Sequence, residues 1–262
     1  MGKTILEIFK DIDFPFTCAL VNNQRVGLAD EIEEDSKIEL LSYESSEGKR
    51  TYERSIVFVT KVALREIDPS LKLILRNSIE DSLYCGIAGN YNESLITTLK
   101  AKVEELIRRD IPIRKLNLPK EIAINRLEKE GRFEDISGIK YLLDETIAIY
   151  ELNGIFNYFA GPLIPSTRFL KIFDIAPYAD GILLLLPASI NPLELCKMPD
   201  RPKLFEIYRE SSQWSEKLEI NNVADINRSI VTGKIGNIIK IQEALHDIKI
   251  TEIGKQIIEK NA

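Results

Sequence analysis

Apolar and polar residues change their spacing along the chain, and each spacing predicts a different element. In the first sixty residues the apolar runs are short, and residues 18–21 lead into a turn signal at Asn22 and Asn23. Residues 37–42 alternate between apolar and polar, which is typical of a half-buried strand. The spacing therefore predicts a small β-rich unit at the start of the chain.

Residues 55–200 mix helical and strand patterns. Helices are predicted from apolar spacing and from proline and glycine end signals at residues 55–67, 95–109 and 121–131. Strands are predicted from shorter apolar runs at residues 71–75, 83–88, 146–152, 169–175 and 181–186. This mixture predicts an α+β domain that is built on a mixed sheet.

From residue 201 onward the periodicity is helical only. Helices are predicted at residues 204–218, 223–231 and 235–258. The last of them carries apolar residues at positions 235, 238, 241, 245, 248, 253 and 257. An apolar stripe this broad has to be buried against another surface.

Charge and cysteine content narrow the possible partners and the compartment. The net charge of −6 opposes contact with phosphate backbones, so nucleic acid is not expected as a partner. Cys18, Cys85 and Cys196 are odd in number and form no CxxC motif, which favours a reducing compartment over a disulfide framework. The apolar run at residues 181–188 is too short to span a bilayer. We therefore expect a cytoplasmic protein with no membrane partner.

His246 is the only histidine, and it lies in the last predicted helix. Zinc sites and histidine-based acid–base sites need well-placed imidazoles, so this count argues against most metal and triad chemistry. The sequence also has no glycine-rich loop with the spacing that a phosphate-binding loop requires. We therefore predict no catalytic residue, no metal and no cofactor in this chain.

Residues 153–167 form the most distinctive segment. Gly154, Gly161, Pro162 and Pro165 fix an irregular backbone there. The aromatic residues at positions 156, 158 and 159 either wall a ligand pocket or fill the core. Both interpretations remain open from the sequence.

A family resemblance starts from this segment. Residues 154–181 resemble the stretch of threonyl-tRNA synthetase editing domains that runs through Cys-x-Gly-Pro-His to a following Thr and a Phe-x-Leu strand. Upstream, residues 21–23, 35–40 and 48–55 resemble the ubiquitin-like TGS module and its passage into that domain. A closer resemblance is to the N-terminal half of bacterial uridine/nucleoside kinases that carry this pair of domains. Its signatures are Tyr52-Glu-Arg-Ser55, Leu83-Tyr-Cys85, residues 158–167 and 202–205, Trp214, Leu245-His246 and Ile253.

The resemblance implies an α+β fold in three parts. These are a small TGS-like β-grasp (ubiquitin-like) unit at residues 1–54, an editing-like mixed-sheet domain at 55–200, and a helical tail at 201–262. In the kinase family a P-loop kinase domain follows this tail, and that domain would use ATP and magnesium. The expected partners are therefore that kinase domain or a second subunit, with a small-molecule ligand as a further possibility.

The sequence departs from the synthetase pattern at the positions that carry its chemistry. The editing pocket is associated with His-x-x-x-His and Cys-x-x-x-His, and the corresponding residues are taken here as Asn77 and Asp81, then Phe159 and Leu163. A zinc site cannot be assembled from them. If polarity survives in a pocket, the candidate lining residues are Asn77, Ser78, Asp81, Tyr84, Cys85, Tyr158, Gly161, Pro162, Ser166, Thr167 and Arg168.

Three functions follow from these observations. The first is a non-catalytic regulatory or substrate-sensing region of a uridine/nucleoside kinase-related protein. The second is a degenerate aminoacyl-tRNA editing-type hydrolase or ligand-binding domain. The third is a protein-interaction adaptor. We favour the first, in which the former editing pocket is retained only as a structural scaffold.

Overall fold

A computed structural model describes residues 2–131, 133–220 and 222–261. The described chain divides into two compact units. The first unit contains residues 2–131 and 145–201, and the second contains residues 133–144 and 202–261. The α+β fold class that the sequence predicts is confirmed, since helices and antiparallel sheets are both present.

The first unit holds all the strands and four helices of the described chain. Its strands are β1 (Lys3–Thr4), β2 (Phe16–Val21), β3 (Gln24–Gly27), β4 (Glu31–Ile32), β5 (Ile38–Ser42), β6 (Lys72–Ile79), β7 (Ser82–Ala88), β8 (Arg114–Pro119), β9 (Thr146–Leu152), β10 (Ile155–Tyr158), β11 (Asp174–Tyr178) and β12 (Gly181–Leu185). Its helices are α1 (Ile5–Ile8), α2 (Ser46–Ile67), α3 (Ser94–Arg108) and α4 (Lys120–Lys129), with a 3-10 turn at Thr167–Phe169.

Three antiparallel sheets surround the long helix α2 and its neighbours. Their strand orders are β3-β2-β5, β11-β12-β7-β6 and β10-β9-β8, and β1 pairs with β4. Helix α2 packs against β2, β5, β6 and α3, while α4 packs on the β8–β10 sheet. Side chains from all of these layers, apart from α4, meet in one hydrophobic core.

Helix α2 begins at Ser46, nine residues before the predicted start. The Ser45 side chain caps it by accepting a hydrogen bond from the Gly48 amide at 3.1 Å. The first turns look polar in sequence, yet Thr51 and Tyr52 are fully buried. Tertiary contacts therefore extend the helix beyond its apolar stripe. Whether residues 1–54 form a TGS-like domain of their own stays a prediction.

The predicted strand at residues 169–175 is wrong over most of its length. A 3-10 turn occupies Thr167–Phe169, and β11 begins only at Asp174. Phe169 and Leu170 are fully buried in the core instead of alternating across a sheet. The run is apolar because its residues fill the core, and core residues can lie in a turn as well as in a strand.

The second unit is helical, as the sequence predicts. It contains α5 (Phe133–Lys140), α6 (Pro202–Lys217), α7 (Val223–Val231) and α8 (Ile235–Asn261). Helix α7 contacts both α5 and α8. Within the described chain, no helix is both long enough and apolar enough to cross a membrane.

Candidate functional site

The β6–β7 hairpin carries five of the predicted pocket residues, but they do not share one face. Asn77 is the cross-strand partner of Tyr84, so both lie on one face of the sheet. Cys85 follows Tyr84 and points to the opposite face, where it is fully buried in the core. Burial raises the pKa of the Cys85 thiol to about 12. Cys85 is therefore a core residue without thiolate reactivity at neutral pH.

Asp81, in the turn of this hairpin, is held by several hydrogen bonds. Its carboxylate accepts hydrogen bonds from Lys49 Nζ at 2.6 Å and from the Ser189 amide at 2.9 Å, and also from the Ser189 hydroxyl. Burial raises the pKa of Asp81, but these hydrogen bonds outweigh it and the net pKa is lowered. The carboxylate thus joins α2 and the segment after β12 to the hairpin. Ser78 is exposed on β6.

Tyr84 is hydrogen-bonded to a neighbouring carboxylate. Its hydroxyl donates a hydrogen bond to Asp180, and its ring lies 6.1 Å from that of Tyr178. Burial and the hydrogen bond to Asp180 both raise the pKa of Tyr84. A phenol that is buried and bonded to a carboxylate stays protonated, so Tyr84 acts as a hydrogen-bond donor.

The loop after β10 packs directly on α2. Arg54 Nε donates to the Pro162 carbonyl at 3.2 Å, and the Ile164 amide donates to Ser55 Oγ at 3.0 Å. The rings of Phe58 and Phe159 have centroids 5.4 Å apart. Leu163, between the two hydrogen-bonded residues, is only 3% exposed. The loop and α2 therefore form one closely packed surface.

This packing places α2, and not the β6–β7 hairpin, against the loop, while the correspondence of Asn77 and Asp81 with the His-x-x-x-His pair stays a prediction. A four-residue spacing brings two side chains to one face of a helix, and the helix against Phe159 and Leu163 is α2. The residues that α2 presents there are Arg54 and Phe58. Asn77 and Asp81 instead lie on a strand and its turn. Sequence spacing alone could not show this, because pairing across elements is a tertiary property.

Arg54 is the central polar residue of this surface. Its Nη2 donates to Thr51 Oγ1 at 3.2 Å, and burial lowers the pKa of its guanidinium. Within the part of the chain that the structure describes, no carboxylate lies within 4.0 Å of it. Gly161 approaches so closely, with φ of +132°, that an added Cβ would lie 3.0 Å from the guanidinium. Only glycine permits this contact without displacement.

Strands β9 and β10 carry a further buried polar residue, Asn157. Tyr150 donates its hydroxyl to the Gly161 carbonyl at 2.9 Å, and Asn157 is its cross-strand partner. Asn157 is fully buried, its Oδ1 accepts from the Tyr158 amide at 3.0 Å, and its Nδ2 has no hydrogen-bond partner among the described residues. A buried amide donor without a partner is costly and calls for an explanation. The sequence marked the segment that contains Asn157 but not the residue itself.

Residues at the end of the segment hold the loop in place through hydrogen bonds and a β-bridge. Thr167 is fully buried, its Oγ1 donates to the Leu106 carbonyl at 2.8 Å, and it accepts from the Ile111 amide at 2.9 Å. Ser166 forms a β-bridge with Pro112. Arg168 is exposed, 3.9 Å from the Asp110 carboxylate and over the Phe169 ring. These residues fasten the loop to the end of α3.

A small open cavity lies elsewhere in the first unit, where the β9–β10 turn meets the segment after α3. Its volume is about 230 Å³, and its lining residues are Ile111, Pro112, Arg114, Glu151, Asn153 and Gly154. None of the predicted pocket residues lines it. Among the described residues, no group of three or more His, Cys, Asp or Glu side chains is placed to hold a metal ion.

Similarity to known proteins points to one class of enzyme. No protein-family model matches the chain. The threonine–tRNA ligase of Desulforamulus reducens is 28% identical over 186 residues, which cover 67% of this chain and 29% of the ligase. The ligase of Clostridium novyi is 26% identical over 164 residues, covering 62% and 26%. The ligase of Carboxydothermus hydrogenoformans is 25% identical over 161 residues, covering 60% and 25%. The chain is thus similar to a part of threonine–tRNA ligases, and it spans less than a third of their length.

Proposed function

We propose that this chain is a non-catalytic accessory region of a uridine/nucleoside kinase-related protein, built like the TGS and editing portion of a threonine–tRNA ligase. The phosphorylation of uridine or a similar nucleoside, with ATP and magnesium, belongs to a kinase domain outside this chain. The kinase relationship rests on the resemblance of residues 52–55, 83–85 and 158–167. The similarity to threonine–tRNA ligases supports the accessory part of the proposal.

The packing of Phe58 against Phe159 carries the proposal that the region is non-catalytic. Aminoacyl-ester hydrolysis needs a general base or an activated water beside the ester. At this surface the Phe58 and Phe159 rings and the buried Leu163 side chain are apolar and supply neither. The neighbouring guanidinium of Arg54 is permanently protonated, so it can bind an acceptor but cannot serve as a base.

A deacylation assay tests this proposal. We expect the purified chain to release amino acid from threonyl-tRNA and from a mischarged tRNA no faster than buffer does. The chain should also transfer no phosphate from ATP to uridine. Hydrolysis above the spontaneous rate that is lost in Arg54→Met would contradict the proposal. Hydrolysis that persists in Arg54→Met and in a second, independent preparation would contradict the proposal equally, whereas activity that differs between preparations would identify a contaminating esterase.

A second candidate function, ligand sensing, is favoured by one observation. Asn157 Nδ2 is a fully buried donor that has no hydrogen-bond partner among the described residues. Such a donor is suited to a small ligand with an acceptor atom, such as a carboxylate or a nucleobase carbonyl. The strand pair would have to move to admit a ligand, because Asn157 and its cross-strand partner Tyr150 are both buried.

A thermal-shift screen against nucleosides, nucleotides, amino acids and zinc separates the sensor from the scaffold. A ligand that binds only the native state raises Tm with the logarithm of its concentration. We expect such a shift to be abolished in Asn157→Leu, which removes the unpartnered amide, and retained in Arg168→Ala, which changes an exposed side chain. A shift lost in Arg168→Ala but kept in Asn157→Leu would place binding at another surface.

A further inference from the structure

The open cavity at the β9–β10 turn contains one charged side chain of each sign. Arg114 on β8 and Glu151 on β9 both line it, and they are cross-strand partners. Arg114 Nη1 and Glu151 Oε2 approach each other only to 3.8 Å. That distance is longer than a hydrogen bond between nitrogen and oxygen. Two opposite charges therefore lie side by side in the cavity without a hydrogen bond between them.

The β9–β10 turn holds the carboxylate of Glu151 in position. The Gly154 amide donates to Glu151 Oε1 at 2.6 Å, and Gly154 has a φ of +81°, which favours glycine. Asn153, next in the turn, donates from Nδ2 to Glu66, which also pairs with Lys102 at 3.1 Å. Among the described residues no hydrogen bond reaches Glu151 Oε2. This oxygen can therefore accept a hydrogen bond from a ligand.

The guanidinium of Arg114 is open to a ligand as well. Its side chain is 71% exposed, and Glu151 is its only ion-pair partner among the described residues. An exposed ion pair at this distance contributes little, so a ligand that comes between the two charges displaces little. A planar guanidinium binds a carboxylate through two parallel hydrogen bonds. Arg114 is thus suited to an anionic group of a ligand.

The size and the remaining lining of the cavity limit what it can hold. Its volume is about 230 Å³, below the roughly 300–1,000 Å³ of sites that take drug-sized ligands. Ile111 and Pro112 supply the apolar part of the lining. The cavity therefore suits a compact ligand with a short apolar part and one charge of each sign.

We propose that this cavity binds a free α-amino acid with a short apolar side chain. Its carboxylate pairs with Arg114, its ammonium donates to Glu151 Oε2, and its side chain lies against Ile111 and Pro112. Both charges of an α-amino acid are attached to one carbon atom, so they lie as close together as the two charges of the cavity. Because exposed ionic contacts are weak, we expect a dissociation constant on the order of 1 mM.

Nuclear magnetic resonance titration of the full ¹⁵N-labelled chain with L-valine tests this proposal. The Gly154 amide reports on the site directly, because it donates to the carboxylate of Glu151. We expect its resonance to shift with saturation, and the other shifts to be confined to residues 110–114 and 151–154. Isovalerate lacks the ammonium of valine, and isobutylamine lacks its carboxylate. Each should bind about tenfold more weakly, since each loses a charge-assisted hydrogen bond.

Three variants locate the binding. Arg114→Gln and Glu151→Gln should each weaken valine binding about tenfold, and glutamine at position 151 keeps an oxygen that can accept from the Gly154 amide. Glu151→Gln should also bind valine and isovalerate equally, a change of preference that a folding defect cannot produce. Arg201→Gln is the matched control, because Arg201 is 60% exposed, is ion-paired with Glu80 and does not line the cavity. Its valine binding should be unchanged.

Several outcomes would overturn the proposal. One is the absence of a saturable Gly154 shift at valine concentrations well above the expected dissociation constant. Isovalerate that binds the wild type as tightly as valine would show a simple anion site at Arg114. Equal weakening in Arg201→Gln would show a non-specific effect of charge. The cavity is separate from Asn157, so Asn157→Leu should keep valine binding; loss of binding in that variant alone would assign valine to the ligand-sensing function instead.

Discussion

Thr167 offers the sharpest test of whether the loop of residues 158–168 is structural. In Thr167→Val the side-chain volume is kept, but the hydroxyl that bonds Leu106 O at 2.8 Å and Ile111 N at 2.9 Å is lost. Each lost hydrogen bond costs about 1 kcal/mol net, and a buried partner left without a bond costs about 1–3 kcal/mol. Because Thr167 is fully buried, water does not replace the hydroxyl. We expect the free energy of unfolding of the first unit to fall by about 2–4 kcal/mol.

Urea unfolding followed by circular dichroism measures this change. Two controls frame it. Thr98→Val removes an exposed helix hydroxyl bonded to Ser94 O at 3.0 Å and should cost less than about 0.5 kcal/mol. Thr167→Ser keeps both hydrogen bonds and loses one methyl group, which costs about 1 kcal/mol. If Thr167→Val were no more destabilising than Thr98→Val, the structural role assigned to Thr167 would be refuted.

Three further predictions follow from the site. Asp81→Asn should lower stability at pH 7 by about 1–2 kcal/mol and flatten its acid dependence. The pKa of Asp81 is lowered in the folded state, so its contribution to the free energy of unfolding is present above the unfolded pKa and is lost as the pH falls through the folded pKa. Urea midpoints of the wild type and of Asp81→Asn that run parallel from pH 7 to pH 3 would contradict this. Gly161→Ala should lower the free energy of unfolding by about 1–3 kcal/mol, and by more than Gly154→Ala does. Both glycines have positive φ, but only at Gly161 would the added Cβ lie 3.0 Å from a guanidinium. Equal losses in Tm would argue against the contact. With its thiol pKa near 12, Cys85 should resist iodoacetamide in the native chain at pH 8 and react fully in urea; mass spectrometry showing rapid native alkylation would disprove its burial.

The surface around Arg54 shows why site prediction from sequence went only part of the way. The segment of residues 153–167 was singled out from its glycines, prolines and aromatics, and it does lie at the candidate site. Its contact partners were assigned to the β6–β7 hairpin, whereas α2 supplies them. Asn157 was missed because nothing in its local sequence shows that a buried amide will lack a partner.

The sequence by itself determined the elements whose signal is local. Periodicity predicted α3, α4, α6, α7 and α8, and most of the strands that match short apolar runs. Strand β8 escaped it, because its pairing with β9 comes from a partner distant in the chain. Strand β10 was also missed, although it pairs locally with β9 across the Asn153-Gly154 turn. The early start of α2 had the same origin, since the burial of Tyr52 follows from packing against other elements.

Tertiary structure alone decided which polar groups meet and which apolar faces stay open. Hydrogen bonds such as Thr167–Leu106 and Asp81–Ser189 join residues more than fifty positions apart, and no periodic pattern encodes them. The sequence likewise indicated that the apolar stripe of α8 needs a cover, but only the structure showed that Ile241, Ile248, Ile253 and Ile257 of that stripe stay about half exposed within the described chain. Local spacing fixes which side of an element is apolar, and packing in three dimensions fixes what that side touches.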